Sequence, residues 1–256
     1  MMDALDFVLL NASSEQVDDS LSFERVLGDL TSRVICFLPW KVTIQTAKRM
    51  KIIPKSFLAC YQLPSAIVSS EPALCAQAVE VLVNDALGLL KHLGIEHQSI
   101  TSVGFSMGNG PATVLANKTG ARLCSVTSAD RGDLMLWQSD AVIGVKHAAR
   151  CKGYVSSDFR EALAGLDPID NLSNIGRDSV FIAAERDMFV PRERRIALLD
   201  AVRDIVPSAL IVTADRGHVR TIWQTAQQLP EILGQSGPSE PGHSCVLVGT
   251  CVPPHC

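Results

Sequence analysis

Short runs rich in β-branched residues alternate along this chain with longer segments in which apolar residues recur at three- and four-residue spacing. A five-residue apolar run suits a strand buried on both faces, and the longer spacing suits one face of a helix. Runs of the first kind fall at 33–37, 57–61, 99–103, 123–127, 180–184 and 209–213. The second pattern predicts helices over 43–50, 72–93, 133–149, 192–205 and 221–233, with another after residue 108. The helix over 72–93 is the clearest. Pro72 fits its first turn, Leu74, Ala78, Leu82, Ala86, Leu89 and Leu93 share a face, and Gly94 stops it. Residues 5–10 and 21–26 read as two antiparallel edge strands. Strands alternating with helices place crossover helices over both faces of a parallel sheet. The expected fold class is therefore α/β, a mostly parallel twisted sheet of about eight strands. No internal repeat is visible.

One junction in this pattern carries chemistry. Between the strand ending at Val103 and the helix beginning near Asn109 stands Gly104-Phe105-Ser106-Met107-Gly108, a G-x-S-x-G sequence. Such a strand–turn–helix corner lifts one hydroxyl above the sheet, and glycines flank it because side chains there would collide with the turn. Ser106 is the candidate nucleophile. A serine hydroxyl needs a base to take its proton and an acid to orient that base, so partners are expected in later loops. The strand over 180–184 leads into Glu185-Arg186-Asp187-Met188-Phe189-Val190-Pro191, and the strand over 209–213 leads into Ala214-Asp215-Arg216-Gly217-His218. Both loops follow the carboxyl ends of strands, where open α/β sheets place their chemistry.

With these three places the chain resembles the α/β-hydrolase superfamily over roughly residues 33–234. The resemblance implies a Ser106–Asp187–His218 triad, in which His218 serves as base and Asp187 holds its tautomer and stabilises the imidazolium. Asp130, after the strand over 123–127, is the competing acid; Glu185 and Asp215 are less well placed. His92, His97 and His147 precede the acid and read as helix-end or surface residues, and His243 and His255 lie in a tail. The resemblance also implies an oxyanion hole. One N–H would come from Met107, and by position the second would come from Trp40. Here the chain departs from the family. The loop after the first parallel strand reads Leu38-Pro39-Trp40-Lys41 in place of the His-Gly that many members carry, and Pro39 has no N–H to give.

Composition narrows the alternatives. The 256 residues are 47% hydrophobic and 20% charged, ordinary for one globular domain with a sizeable core. A net charge of −4 leaves no basic footprint for nucleic acid. No uninterrupted apolar run approaches the roughly 18 residues a bilayer span requires. The start of the chain lacks the pattern of a signal peptide, so a cytoplasmic location with reduced cysteines is expected. Cys36, Cys60, Cys75 and Cys124 sit on apolar elements and read as small buried hydrophobes.

The domain is expected over 1–235. From 236 the composition becomes linker-like, and residues 236–256 read as a flexible tail whose Cys and His spacing matches no common metal motif. The roughly fifty residues from Arg131 to Ser179 leave room for a small lid or none, around 134–137 or 154–166. An open site of that kind suits a short ester or an acyl thioester presented on a carrier. The function expected is thus hydrolysis of a carboxylic ester or thioester through an acyl-enzyme on Ser106, with no cofactor or metal. Acyl transfer or cyclisation by the same triad is the alternative. A non-catalytic ligand- or protein-binding member of the fold is the other, since fold alone does not license function.

Overall fold

A computed structural model describes residues 19–234. Its seven strands are β1 (Arg25–Leu27), β2 (Val34–Phe37), β3 (Ala59–Tyr61), β4 (Thr101–Phe105), β5 (Arg122–Val126), β6 (Val180–Ala184) and β7 (Leu210–Ala214). They form one sheet in the order β1-β3-β2-β4-β5-β6-β7. Only β1 runs antiparallel, pairing with β3 at the edge; every other pairing is parallel. The helices are α1 (Ile44–Arg49), α2 (Pro72–His92), α3 (Asn109–Thr119), α4 (Gly132–Gln138), α5 (Ile143–Cys151), α6 (Ser156–Ala162), α7 (Arg192–Ile205) and α8 (His218–Gly234).

Alternation along each strand builds two cores, one on each face. Ile35 and Phe37 of β2, Leu123 of β5 and Phe181 and Ala183 of β6 point to one side, where they meet α2, α3 and α7. Cys36, Val103, Phe105, Cys124, Val126 and Ile182 point to the other, against α1 and α8. A period of two within a strand buried on both faces gives this arrangement directly. The buried thiols Cys36, Cys60, Cys75 and Cys124 are free, and burial pushes Cys124 up to about 12 and Cys75 up to about 11.

Helix α2 is long and apolar enough by length and composition to cross a membrane, with a mean hydropathy of 1.5. Interruption of that stretch by charged residues hides this from a search for unbroken apolar runs. In the fold its apolar side packs into the first core, and Asp85 accepts a hydrogen bond of 2.8 Å from Tyr61 and pairs with Arg25. The helix therefore lies against the sheet as a core element. Its end is set as the sequence predicts, with Gly94 in the left-handed region at φ 63°.

Three expectations change. Among the described residues the sheet has seven strands; the candidate over 5–10 lies outside them, and 21–26 contributes only the short β1 after a helical turn at Asp19–Leu21. The single helix expected over 133–149 is two, α4 and α5. Ser139 breaks it: its backbone turns extended, its hydroxyl donates to the Phe189 carbonyl at 2.8 Å, and its oxygen accepts the Ala141 N–H at 3.2 Å. The last helix starts earlier than its apolar periodicity suggests, at His218. The segment expected to carry a small lid or none holds α4, α5 and α6, short helices of which α4 and α6 line a cavity beside Ser106.

Candidate active site

Strand β4 occupies the middle of the sheet, next to β2, and the chain turns left of β2 into β3 and right of it into β4. The carboxyl ends of β2 and β4 therefore flank a switch point, the usual crevice of open α/β sheets. Ser106 follows the last residue of β4 with φ 53°, in the left-handed region that a non-glycine residue enters only under strain. Such a conformation costs on the order of 1–3 kcal/mol and persists where its surroundings over-determine it. The surroundings here are specific. A Cβ on Gly104 would lie 2.7 Å from Asn109 Cα, and one on Gly108 would lie 2.4 Å from the Phe37 carbonyl oxygen. The two glycines let the start of α3 close down on the ends of β4 and β2.

Asn109 completes the clamp. Its Nδ2 donates to the carbonyls of Ser106 and Val126, both at 2.8 Å, and its Oδ1 accepts the Val126 N–H at 3.2 Å. All three bonds are made by a residue only 1% exposed. Nothing in the sequence singles out Asn109, because an asparagine at a helix start reads as an ordinary cap. Its partner on β5 is visible only in the fold.

The structure brings Ser106, His218 and Asp187 together. His218 Nε2 lies 2.9 Å from Ser106 Oγ, and its Nδ1 lies 2.7 Å from Asp187 Oδ2. An ionised carboxylate can only accept, so Nδ1 carries the proton and Nε2 is left to accept from the serine hydroxyl. Asp187 Oδ1 accepts the N–H groups of Phe189 and Val190, both at 2.9 Å. Burial opposes the Asp187 charge, but the hydrogen bond and charge of His218 and these two N–H groups outweigh it. They hold the carboxyl below the usual carboxylate range. The Phe189 ring stands edge-on to His218, with centroids 5.1 Å apart, and restricts the imidazole.

The competing acids are engaged elsewhere. Asp130, 2% exposed, accepts from Arg194 Nη1 at 3.1 Å. Asp215 accepts from Arg186 Nε and Nη2, each at 2.6 Å, on the surface. His147 lies on α5, with Nε2 3.7 Å from Cys151 Sγ, His92 ends α2, and His97 begins a short turn. His243 and His255 fall outside the described residues.

Of the two oxyanion candidates, Met107 lines the cavity beside Ser106. Trp40 lies in the turn after β2, packs against the first core and has the Lys41 ammonium 4.1 Å from its ring centroid. It does not belong to that cavity wall. In its loop the Leu38 N–H is spent on the Tyr61 carbonyl at 3.0 Å and Pro39 has none, so Trp40 carries the next N–H along the chain. The cavity holds about 850 Å³, its open mouth included. Ile67, Val79, Met135, Leu136, Phe159 and Leu163 make most of its wall apolar. Among the described residues no cluster of three or more His, Cys, Asp or Glu could hold a metal ion.

Sheet order, helix placement and the strained turn at Ser106 together define the α/β-hydrolase fold. No protein-family model and no curated protein matches this chain. Solved structures do. The acylaminoacyl peptidase of Pyrococcus horikoshii matches with a TM-score of 0.59 at 12% identity, over 93% of this chain and 43% of that one. An esterase of Pyrococcus furiosus matches with a TM-score of 0.56 at 14% identity, over 90% of this chain and 91% of that one. A 2,6-dihydroxy-pseudo-oxynicotine hydrolase matches with a TM-score of 0.52 at 17% identity, over 93% and 70%. The chain thus spans less than half of the peptidase and nearly the whole length of the esterase. At these identities the likeness shows the fold.

Proposed function

We propose that this protein is a serine hydrolase that cleaves a carboxylic ester or acyl thioester by acyl transfer through Ser106. The observation that carries the reading is the unbroken hydrogen-bonded line from Asp187 through His218 to Ser106 Oγ, at 2.7 and 2.9 Å. His218 Nε2 takes the hydroxyl proton as Ser106 attacks the carbonyl carbon, then returns it to the leaving group. Asp187, buried and low in pKa, stays ionised and stabilises the imidazolium. The Met107 N–H, in the helical turn Ser106–Gly108 that precedes α3, is the first donor to the developing oxyanion, with Trp40 as the second. Removing one such donor typically costs about 2.7–4 kcal/mol of transition-state stabilisation. Water admitted through the cavity mouth then attacks the acyl-enzyme, with His218 again as base. That the esterase matches over nearly its whole length supports an ester substrate over a long peptide.

Labelling with a fluorophosphonate probe tests this reading. The wild-type protein should label and Ser106→Ala should not. Labelling that survives the substitution removes Ser106 as nucleophile. Its absence from both proteins favours a binding role for the cavity.

A further inference from the structure

The wall of the cavity is mostly apolar, and among its few polar side chains Asp167 and Arg131 are the charged ones. Asp167 lines it, 2% exposed, at the start of the turn Pro168–Asn171. The turn holds it rigidly, since Asn171 Nδ2 donates to the Asp167 carbonyl at 2.9 Å and to that of Gly165 at 2.9 Å. One carboxylate oxygen is satisfied, Oδ1 accepting the Gly132 N–H at 2.7 Å. The other, Oδ2, is buried without a hydrogen-bond partner. Other polar groups on this wall are spent. Asn109 clamps Ser106 and Val126, Thr127 Oγ1 donates to the Val126 carbonyl, and Ser128 Oγ donates to that of Ala129.

Charge around Asp167 is incompletely balanced. Arg131 Nη2 stands 3.6 Å from Oδ2, too far for a hydrogen bond, because its Nε is given to Asp133 Oδ1 at 3.0 Å. Asp133 is fully buried and also takes the exposed Arg160 at 3.4 Å. Asp170 adds a third carboxylate, bound to the Gly165 N–H. Burial first, and then Asp133 and Asp170, push the Asp167 carboxyl up to about 6 against the Gly132 N–H and Arg131. A buried acceptor left open beside a candidate nucleophile calls for an explanation, and a ligand donor supplies one.

We propose that Asp167 reads a protonated amine on the portion of substrate seated in this cavity, so that the ester cleaved at Ser106 carries an ammonium group beyond a short apolar segment. The inference rests on the serine hydrolase reading and names its substrate class. The ammonium donates to Oδ2 and supplies the positive charge that Arg131 shares with Asp133. The apolar stem lies against Ile67, Val79, Leu136 and Phe159. No covalent step is added.

The test compares p-nitrophenyl esters of β-alanine and 6-aminohexanoic acid with their butanoate and heptanoate counterparts, in which methyl replaces ammonium. The quantity read is kcat/KM for the amine ester over that for the alkyl ester, in the full chain and in Asp167→Asn. Asparagine keeps the acceptor for the Gly132 N–H and removes the charge. The ratio should fall about 10- to 100-fold in the variant for the better amine ester, the size of a charge-assisted hydrogen bond. An unchanged ratio at both chain lengths overturns the proposal. Fluorophosphonate labelling of the same samples separates the two readings: labelling with an unchanged ratio removes only Asp167, whereas an unlabelled wild type removes the hydrolase reading beneath it. A measurement on the wild type alone guards against a variant that misfolds. Pentylammonium should slow labelling of Ser106 at concentrations where 1-pentanol does not, and equal protection by both overturns the assignment.

Discussion

His218 Nε2 stands 2.9 Å from Ser106 Oγ although 112 residues separate them. The contact joins the turn after the central strand β4 to the first residue of the helix after the edge strand β7, and β6 between them delivers Asp187 to the other ring nitrogen. Because β4, β5, β6 and β7 run parallel, their carboxyl ends, and the loops that follow, lie at the same rim.

If Asp187 orients the histidine, Asp187→Asn should lower kcat by about 10⁴-fold while leaving substrate binding nearly intact. Asp130→Asn should act on stability, because Arg194 loses its charged partner, and should change kcat far less. Steady-state kinetics beside thermal melts separate the two, and the reverse ranking would move the acid to Asp130.

The turn at Ser106 is held by close approach. Gly108→Ala must move a Cβ that starts 2.4 Å from the Phe37 carbonyl oxygen, backbone that cannot yield cheaply. A loss of about 1–3 kcal/mol or more is expected, together with loss of probe labelling. Gly88→Ala, on α2 with nothing within 4 Å of the new Cβ, should instead stabilise by about 0.5–1 kcal/mol and leave labelling intact. Denaturant midpoints for both variants check the contrast.

Asn109→Ala removes all three bonds of the clamp and leaves the buried Val126 N–H and carbonyl without their side-chain partner. Stability should fall by about 1–3 kcal/mol. Labelling of Ser106 should slow by a larger factor than stability alone explains, because the strained φ loses its restraint. A variant that is destabilised yet labels at the wild-type rate would show that the turn holds itself.

Asp187 and Asp167 should give opposite pH dependences. Asp187 sits below its unfolded value, so its contribution to stability is present above that value and is lost as pH falls through the folded one. Asp167 is raised from 3.8 to about 6, so its contribution is full below 3.8 and is lost as pH rises through about 6. Asp167→Asn should therefore gain on the wild type by about 2 kcal/mol between pH 4 and pH 8. Asp187→Asn should lose its disadvantage only in strong acid. Urea unfolding at several pH values reads both, and a pH-independent gap for Asp167→Asn would refute its assignment as a strained carboxyl.

The sequence by itself determined the elements and the reacting residue types. Strand cores, the length of α2 and the corner at Ser106 follow from spacing and backbone preference, which act over a few residues. Asp187 and His218 were legible for the same reason, since each follows the end of a strand. Tertiary structure decided the rest. Asp130 and Asp187 are equivalent as loop residues, and only the fold gives Arg194 to one and His218 to the other. The break at Ser139 depends on a carbonyl fifty residues away, and the open oxygen of Asp167 depends on Arg131 being drawn to Asp133. Hydrogen bonds and charges are shared among groups distant in sequence, and which of them remains unspent is a property of the packed chain.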